Sequence, residues 1–202
     1  IDKHDLVVRF NILKTAKFTQ HVGSKTTVRF LNYGRSFHVC SKPLALPEGA
    51  QVVSGRNVHL KAVVLWHPRE RQLAEACMQK AFRGKKLHVY SLPSKVSEDM
   101  RSAVQELRAS AISDLGVKGM KAEMPLELTS GGQAILLMLR LCDTVSLYGV
   151  STYMPVRMGG AGYQYAGRDN LRFSGEKFHD WILEAAMWRT LNAAGVLSIC
   201  SA

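Results

Sequence analysis

His179, in the run GEKFHDWILEAAMWRTL, is a residue whose type and place could move a proton. Gly175 and Glu176 precede a segment whose apolar residues recur at helical spacing to about Leu191, which places His179 near a first turn. There the positive end of the helix dipole disfavours protonation and keeps the imidazole neutral, the form that a general base requires. A structural His that caps or packs is the competing reading of the same residue. Glu184 follows five residues later, about 140° around a helix, so the two side chains cannot address one substrate atom. Glu184 is therefore assigned a supporting role, as a hydrogen-bonding group that orients a neighbouring loop.

The stretch Thr129 to Val150, TSGGQAILLMLRLCDTVSLYGV, combines a Ser-Gly-Gly turn with an apolar helix from Ala134 to Leu141 and a short strand over Val145, Leu147 and Val150. A helix that opens in this way presents N–H groups and a positive dipole end around Ser130 and Gly131, which suits a phosphate or a nucleotide ribose. An ordinary buried crossover with a Gly-containing start fits the same residues. Asn11 stands directly after the strand-like Leu6–Phe10, at the carboxyl end where open α/β sheets place ligand groups. It either pairs with a base or ribose or closes the strand as an Asx turn. Tyr163 and Tyr165, beside Gly159, Gly160 and Gly162, carry hydroxyls able to donate to a phosphate or a sugar carboxylate; as plain rim aromatics they need no such role.

Elements that position these residues follow from the pattern between them. Leu6–Phe10, Thr27–Leu31, Val58–Trp66 and Leu87–Tyr90 read as strands, and Glu70–Phe82 reads as a helix. Ser97, with Glu98 and Asp99 behind it, reads as the start of a helix through Leu107. Ala111–Leu128 reads as a surface connection. Alternating strands and helices imply a mainly parallel sheet covered by helices, and 202 residues without linker, repeat or low-complexity tract are expected to form one domain.

The composition is that of a folded protein, 47% hydrophobic and 21% charged, with no apolar run long enough to cross a bilayer. A net charge of +11 favours anionic partners, yet the basic residues are scattered and no nucleic-acid module is present. The sequence lacks HExxH and Asp-x-Asp, so a bound phosphate is expected to be held without a metal, by dipoles, hydroxyls and a Lys or Arg. The four cysteines have no zinc-like spacing and fit either buried thiols or disulfides.

Taken in order, these segments resemble the motifs of the eukaryotic sialyltransferases. HDLVVRFN…TAKF…HVGSKTTVRFLN resembles the second half of the long donor-binding L motif, whose first half would precede Ile1. TSGGQAILLMLRLCDTVSLYGV resembles the S motif, Tyr163-Gln164-Tyr165 falls at motif III, and His179 with Glu184 matches the very short His-x4-Glu motif. The resemblance covers nearly the whole chain and implies a GT-A-like α/β enzyme, cut at its N-terminus and inactive alone. The enzyme would transfer sialic acid from CMP-sialic acid to a glycoprotein or glycolipid hydroxyl with inversion and without a metal cofactor.

It further implies His179 as the base and Tyr163 at the departing phosphate, where many relatives have His. Asn11, Thr129, Ser130, Gly131, Gly149 and Tyr165 would contact the donor. Cys142 and Cys200 would be disulfide-bonded in the intact protein, to partners that for Cys142 would precede Ile1. A Golgi-lumenal setting, with the membrane anchor upstream of Ile1, is implied as well. A relative using another CMP-linked 2-keto-3-deoxy sugar acid such as CMP-Kdo, and a non-catalytic CMP-sugar- or glycan-binding relative, are the alternatives.

Overall fold

The computed structural model describes residues 1–55, 59–67, 70–115, 127–150 and 179–200. The chain divides into two compact units, Ile1–Ser97 and Glu98–Ala202. Tyr163 and Tyr165 lie outside the described residues, as does most of the connection expected over Ala111–Leu128.

The first unit is built on a four-stranded, all-parallel sheet in the order β1 (Val8–Phe10), β2 (Val28–Leu31), β3 (Ala62–Leu65) and β4 (His88–Ser91). Its helices are α1 (Thr19–Val22), α2 (Tyr33–Ser41), α3 (Gly49–Ser54) and α4 (Arg71–Ala81), with a 3-10 turn at Pro43–Ala45. Every residue of β3 is buried, as expected of a central parallel strand covered on both faces. The β-branched Val63, 0% exposed, packs with Leu31, Val39, Leu46, Met78 and Phe82 in one core cluster. The strand expected over Val58–Trp66 is shorter among the described residues, because its ladder partners Val28–Leu31 and His88–Ser91 run for only four residues each.

Helix α4 falls where its apolar spacing predicts, whereas α2 and α3 were not foreseen. Asn32 starts α2 by accepting the Arg35 N–H at 3.0 Å, which meets one of the orphan donors of a first turn. The packing of α2 on α4 brings Cys40 and Cys77 to a Cα separation of 5.7 Å, and they form a disulfide. Closing a loop with a sequence separation of 37 stabilises the fold by about 4 kcal/mol in the chain-entropy treatment. Cys142 and Cys200 are free, half-buried thiols in this chain.

Arg29, on β2, is fully buried and forms an ion pair with Glu48 at 2.6 Å. Its remaining donors reach the Asn11 carbonyl at 2.8 Å and the Leu13 carbonyl at 3.4 Å. The guanidinium thus ties the loop after β1 to the segment before α3. Glu48→Ala leaves this cation buried without a counter-charge and is expected to cost about 3–5 kcal/mol of unfolding free energy, read by urea denaturation.

The second unit contains most of α5 (Ser94–Leu115), then α6 (Ser130–Leu141), α7 (Trp181–Ala193) and a parallel pair, β5 (Ser146–Tyr148) with β6 (Ser198–Cys200). Helix α5 begins directly after Pro93, three residues before the expected Ser97 start, and runs eight residues beyond Leu107. The Ser97 N–H bonds to the Pro93 carbonyl at 3.2 Å, so Ser97 lies inside the helix and does not cap it. Pro93 lies between the end of β4 at Ser91 and the start of α5 at Ser94, so it closes the strand run and directly precedes the helix. Helix α6 ends at Leu141 with Cys142 as its cap, as the Cys-Asp boundary predicts. Among the described residues no helix is long and apolar enough to cross a membrane.

Candidate active site

Helix α6 is capped by Thr129, whose hydroxyl accepts the Gly132 N–H at 3.0 Å. The same hydroxyl donates to Glu184 Oε2 at 2.6 Å, and the Thr129 N–H donates to Glu184 Oε1 at 2.7 Å. Both carboxylate oxygens of an α7 residue, 55 positions away, are thereby used on one cap residue. Glu184 is only 6% exposed. Burial pushes its pKa above the ordinary value of 4.5, opposed by the two Thr129 hydrogen bonds and by the nearby His179. Thr129 therefore directs its polar hydrogens into the protein, toward Glu184.

Gly132 has a steric reason as well. A Cβ at this position would lie 2.8 Å from Glu184 Oε2, 3.1 Å from Glu184 Cδ and 3.3 Å from Leu128 Cβ. The carboxylate is pinned by two hydrogen bonds and cannot swing away without losing them. Of the Gly-Gly pair, Gly132 makes room for Glu184. Gly132→Ala gains up to about 1 kcal/mol of helix propensity, but the overlap should cost more. A net destabilisation of about 1–2 kcal/mol is expected, read as a lowered denaturation midpoint.

His179 and Glu184 do not share a helix. Helix α7 begins at Trp181 with Asp180 as its cap, the Asp180 Oδ1 accepting the Leu183 N–H at 2.9 Å. His179 precedes that cap, so the 140° separation inferred from a continuous helix does not apply. The helical spacing predicts Ile182, Ala185, Ala186 and Trp188 with Trp181 as the buried side of α7, and this holds at Trp188. Leu183, Glu184, Met187 and Trp188 are buried and Ala186 is exposed. An acid can occupy this face because Thr129 satisfies both of its oxygens.

The His179 ring is half-buried, and its Nδ1 lies 2.7 Å from the Glu127 carbonyl oxygen. A carbonyl only accepts, so Nδ1 carries the hydrogen and, in the neutral ring, Nε2 carries the lone pair. Segment 127–129 is thus gripped twice, by His179 at Glu127 and by Glu184 at Thr129. A base at Nε2 and a helix N-terminus are fixed to one piece of backbone, which is what deprotonating a hydroxyl beside a developing anion requires.

Gly149 follows β5 with φ +67°, a left-handed conformation that disfavours any Cβ, and nothing lies within 4 Å of where a Cβ would stand. Asn11, in the first unit, is also left-handed at φ 49°. Its Oδ1 accepts the Asn32 N–H at 3.0 Å, closing the strand end, which leaves its amide nitrogen as the side chain's donor toward other groups. Among the described residues, no three His, Cys, Asp or Glu side chains converge as a metal site.

Residues that the sequence reading missed are Asp180, Glu127 and Arg108. Asp180 had a signal, an Asp directly before an apolar helical run. Glu127 acts through its backbone, which no side-chain pattern reports. Arg108, 3% exposed on α5, places Nη1 3.2 Å from Asp180 Oδ2, and nothing in the local sequence marks it.

Residues 1–196 match the family description glycosyltransferase family 29 (sialyltransferase). The human β-galactoside α-2,6-sialyltransferase 1 is 30% identical over 157 residues, which is 73% of this chain and 34% of that protein. The Arabidopsis thaliana β-1,6-galactosyltransferase GALT29A is 24% identical over 200 residues, 95% of this chain and 46% of that protein. The chain therefore spans less than half the length of either relative. A crystal structure of a mammalian sialyltransferase superposes with a TM-score of 0.52 at 19% identity, covering 99% of this chain and 61% of that one, which shows a shared fold. The chain belongs to glycosyltransferase family 29, the sialyltransferase family.

Proposed function

We propose that this protein transfers sialic acid from CMP-sialic acid to a glycan hydroxyl, inverting the anomeric centre and using no metal. The observation that carries the mechanism is the His179 Nδ1–Glu127 carbonyl contact at 2.7 Å, which directs the basic lone pair to Nε2. His179 takes the acceptor hydroxyl's proton as that oxygen bonds to the anomeric carbon. The bond from this carbon to the CMP phosphate breaks, and its electron pair leaves with the phosphate. Ser130 and Gly131 at the start of α6 meet the developing phosphate charge, with Gly149 leaving room for the donor at the end of β5. Thr129 and Glu184 hold the helix end in place, and Tyr163 and Tyr165 are assigned to phosphate and donor contact by their motif. Each well-placed donor at such a charge lowers a barrier by roughly 3–4 kcal/mol.

Both curated relatives form linkages to a 6-hydroxyl, by their names, which favours a 6-hydroxyl of a galactose-type acceptor here. The Cys40–Cys77 disulfide fits an oxidising compartment and supports placement on the lumenal side of the Golgi. A second reading, galactosyl transfer from a UDP-sugar, is favoured by the plant relative's alignment with 95% of the chain. Titration calorimetry with CMP, CMP-sialic acid, CMP-Kdo and UDP-galactose separates these readings. The sialyl reading expects CMP-sialic acid to bind and CMP to compete with it; binding of UDP-galactose alone would replace it with the second.

A further inference from the structure

We infer that Arg108 is a positioning residue for His179, acting from the middle of α5 through the cap of α7. Arg108 is 3% exposed, and its Nη1 lies 3.2 Å from Asp180 Oδ2. Asp180 uses its other oxygen, Oδ1, to hold the Leu183 N–H at 2.9 Å. His179 is the next residue toward the N-terminus, and its ring is held on the far side by the Glu127 carbonyl. The imidazole is thus fixed at two places, at its ring by segment 127–129 and at its backbone by Asp180. Arg108 is what ties Asp180 to a third helix.

Capping α7 does not itself need an arginine, because Oδ1 alone satisfies the Leu183 N–H. Nη1 stands near Oδ2 without hydrogen-bond alignment, and neither Nε nor Nη1 finds a hydrogen-bond partner among the described residues. The contact is therefore chiefly one of charge. Asp180, 11% exposed at its side chain, acts on Glu184 as a like charge. A buried guanidinium against Asp180 offsets that repulsion and keeps the start of α7 from moving away from the Thr129 cap. Loss of the cation frees Asp180 to turn toward water and takes the backbone of His179 with it. Small displacements of a base are costly, since reacting groups must lie within a fraction of an ångström of their productive geometry.

The catalytic consequence rests on the reading of His179 as the base, whereas the geometric one does not. The experiment accordingly reads both, using protein labelled with 15N-histidine, with the His179 ring assigned by its loss in His179→Ala. Wild-type protein is expected to show the hydrogen on Nδ1. Arg108→Met should shift the ring nitrogens toward a mixture of tautomers and lower kcat by roughly 10-fold, with the donor KM changed less than about twofold. In a His179→Ala background the same substitution should lower turnover no further. Unchanged His179 nitrogen signals in folded Arg108→Met would overturn the inference whatever the activity. Changed signals, with full turnover retained by His179→Ala, would uphold the positioning and reject the base. If Arg108→Met does not fold, Arg108→Gln, which keeps polarity and removes charge, carries the same measurement with the same outcomes.

Discussion

Turnover is expected to fall by roughly 10²–10⁴-fold when His179 is replaced by alanine, while affinity for CMP stays near that of the unaltered protein. The asymmetry follows from where the side chain acts. His179 is anchored through Nδ1 to the Glu127 carbonyl, and in the proposed mechanism its remaining ring nitrogen serves the acceptor hydroxyl and not the nucleotide. Removing the imidazole removes a proton acceptor needed only as the new bond forms, which lowers kcat and leaves the ground-state donor complex intact. His67 and His88 belong to the first unit, at the ends of β3 and β4, and alanine at either should leave turnover within a few-fold. Steady-state kinetics with CMP competition read both quantities. Near-normal turnover in His179→Ala would remove this residue from the mechanism.

Glu184→Ala should produce the largest combined loss of stability and activity. It leaves the Thr129 N–H without its acceptor and opens a cavity beside Gly132 and Leu128. The expected cost is about 3 kcal/mol. The Thr129 cap loosens with it, and turnover should drop roughly 10²-fold because the helix end proposed to meet the phosphate is no longer held. Glu184→Gln is different. Its amide reproduces the shape of the protonated acid, with an oxygen for the Thr129 N–H and an NH₂ to donate to the Thr129 hydroxyl.

The comparison gains a pH signature from the burial of Glu184. Its folded pKa lies above the ordinary 4.5, so the folded state binds this proton more tightly than the unfolded chain does. The resulting stabilisation is complete below the unfolded value and is lost as pH rises through the folded one. Denaturation of the two proteins from pH 4 upward should therefore show the native chain losing stability relative to Glu184→Gln across that window. Parallel curves would mean that Glu184 titrates alike in the folded and unfolded states.

What was legible in the sequence is what local periodicity carries. Helices α4 and α6 and the β-branched strands announce themselves, because burial on one face or on both imposes a repeat on neighbouring residues. The run from Tyr33 to Ser54 did not, since Gly34, Pro43 and Gly49 interrupt its pattern and its helices are short. The start of α5 was misplaced because Ser97 with Glu98 and Asp99 imitates a cap, while Pro93 supplies the real entry. At the site, His179 and Glu184 could be named from their resemblance to the His-x4-Glu motif, but their relation could not. Glu184 is buried only because Thr129, 55 residues earlier, meets it with two donors, and Arg108 is noticed only once Asp180 stands beside it. Cys40 and Cys77 likewise pair through the packing of α2 on α4, which no spacing rule encodes.

The central claim is sialyl transfer, and the stereochemistry of the product tests it most directly. The purified protein is incubated with CMP-sialic acid and a β-galactoside, without added metal and with a chelator present, and the product is examined by NMR. The account predicts free CMP and a sialoside of inverted anomeric configuration, bonded through a galactose hydroxyl. A sialoside of retained configuration, or no sialoside alongside galactosylation from UDP-galactose, would contradict it.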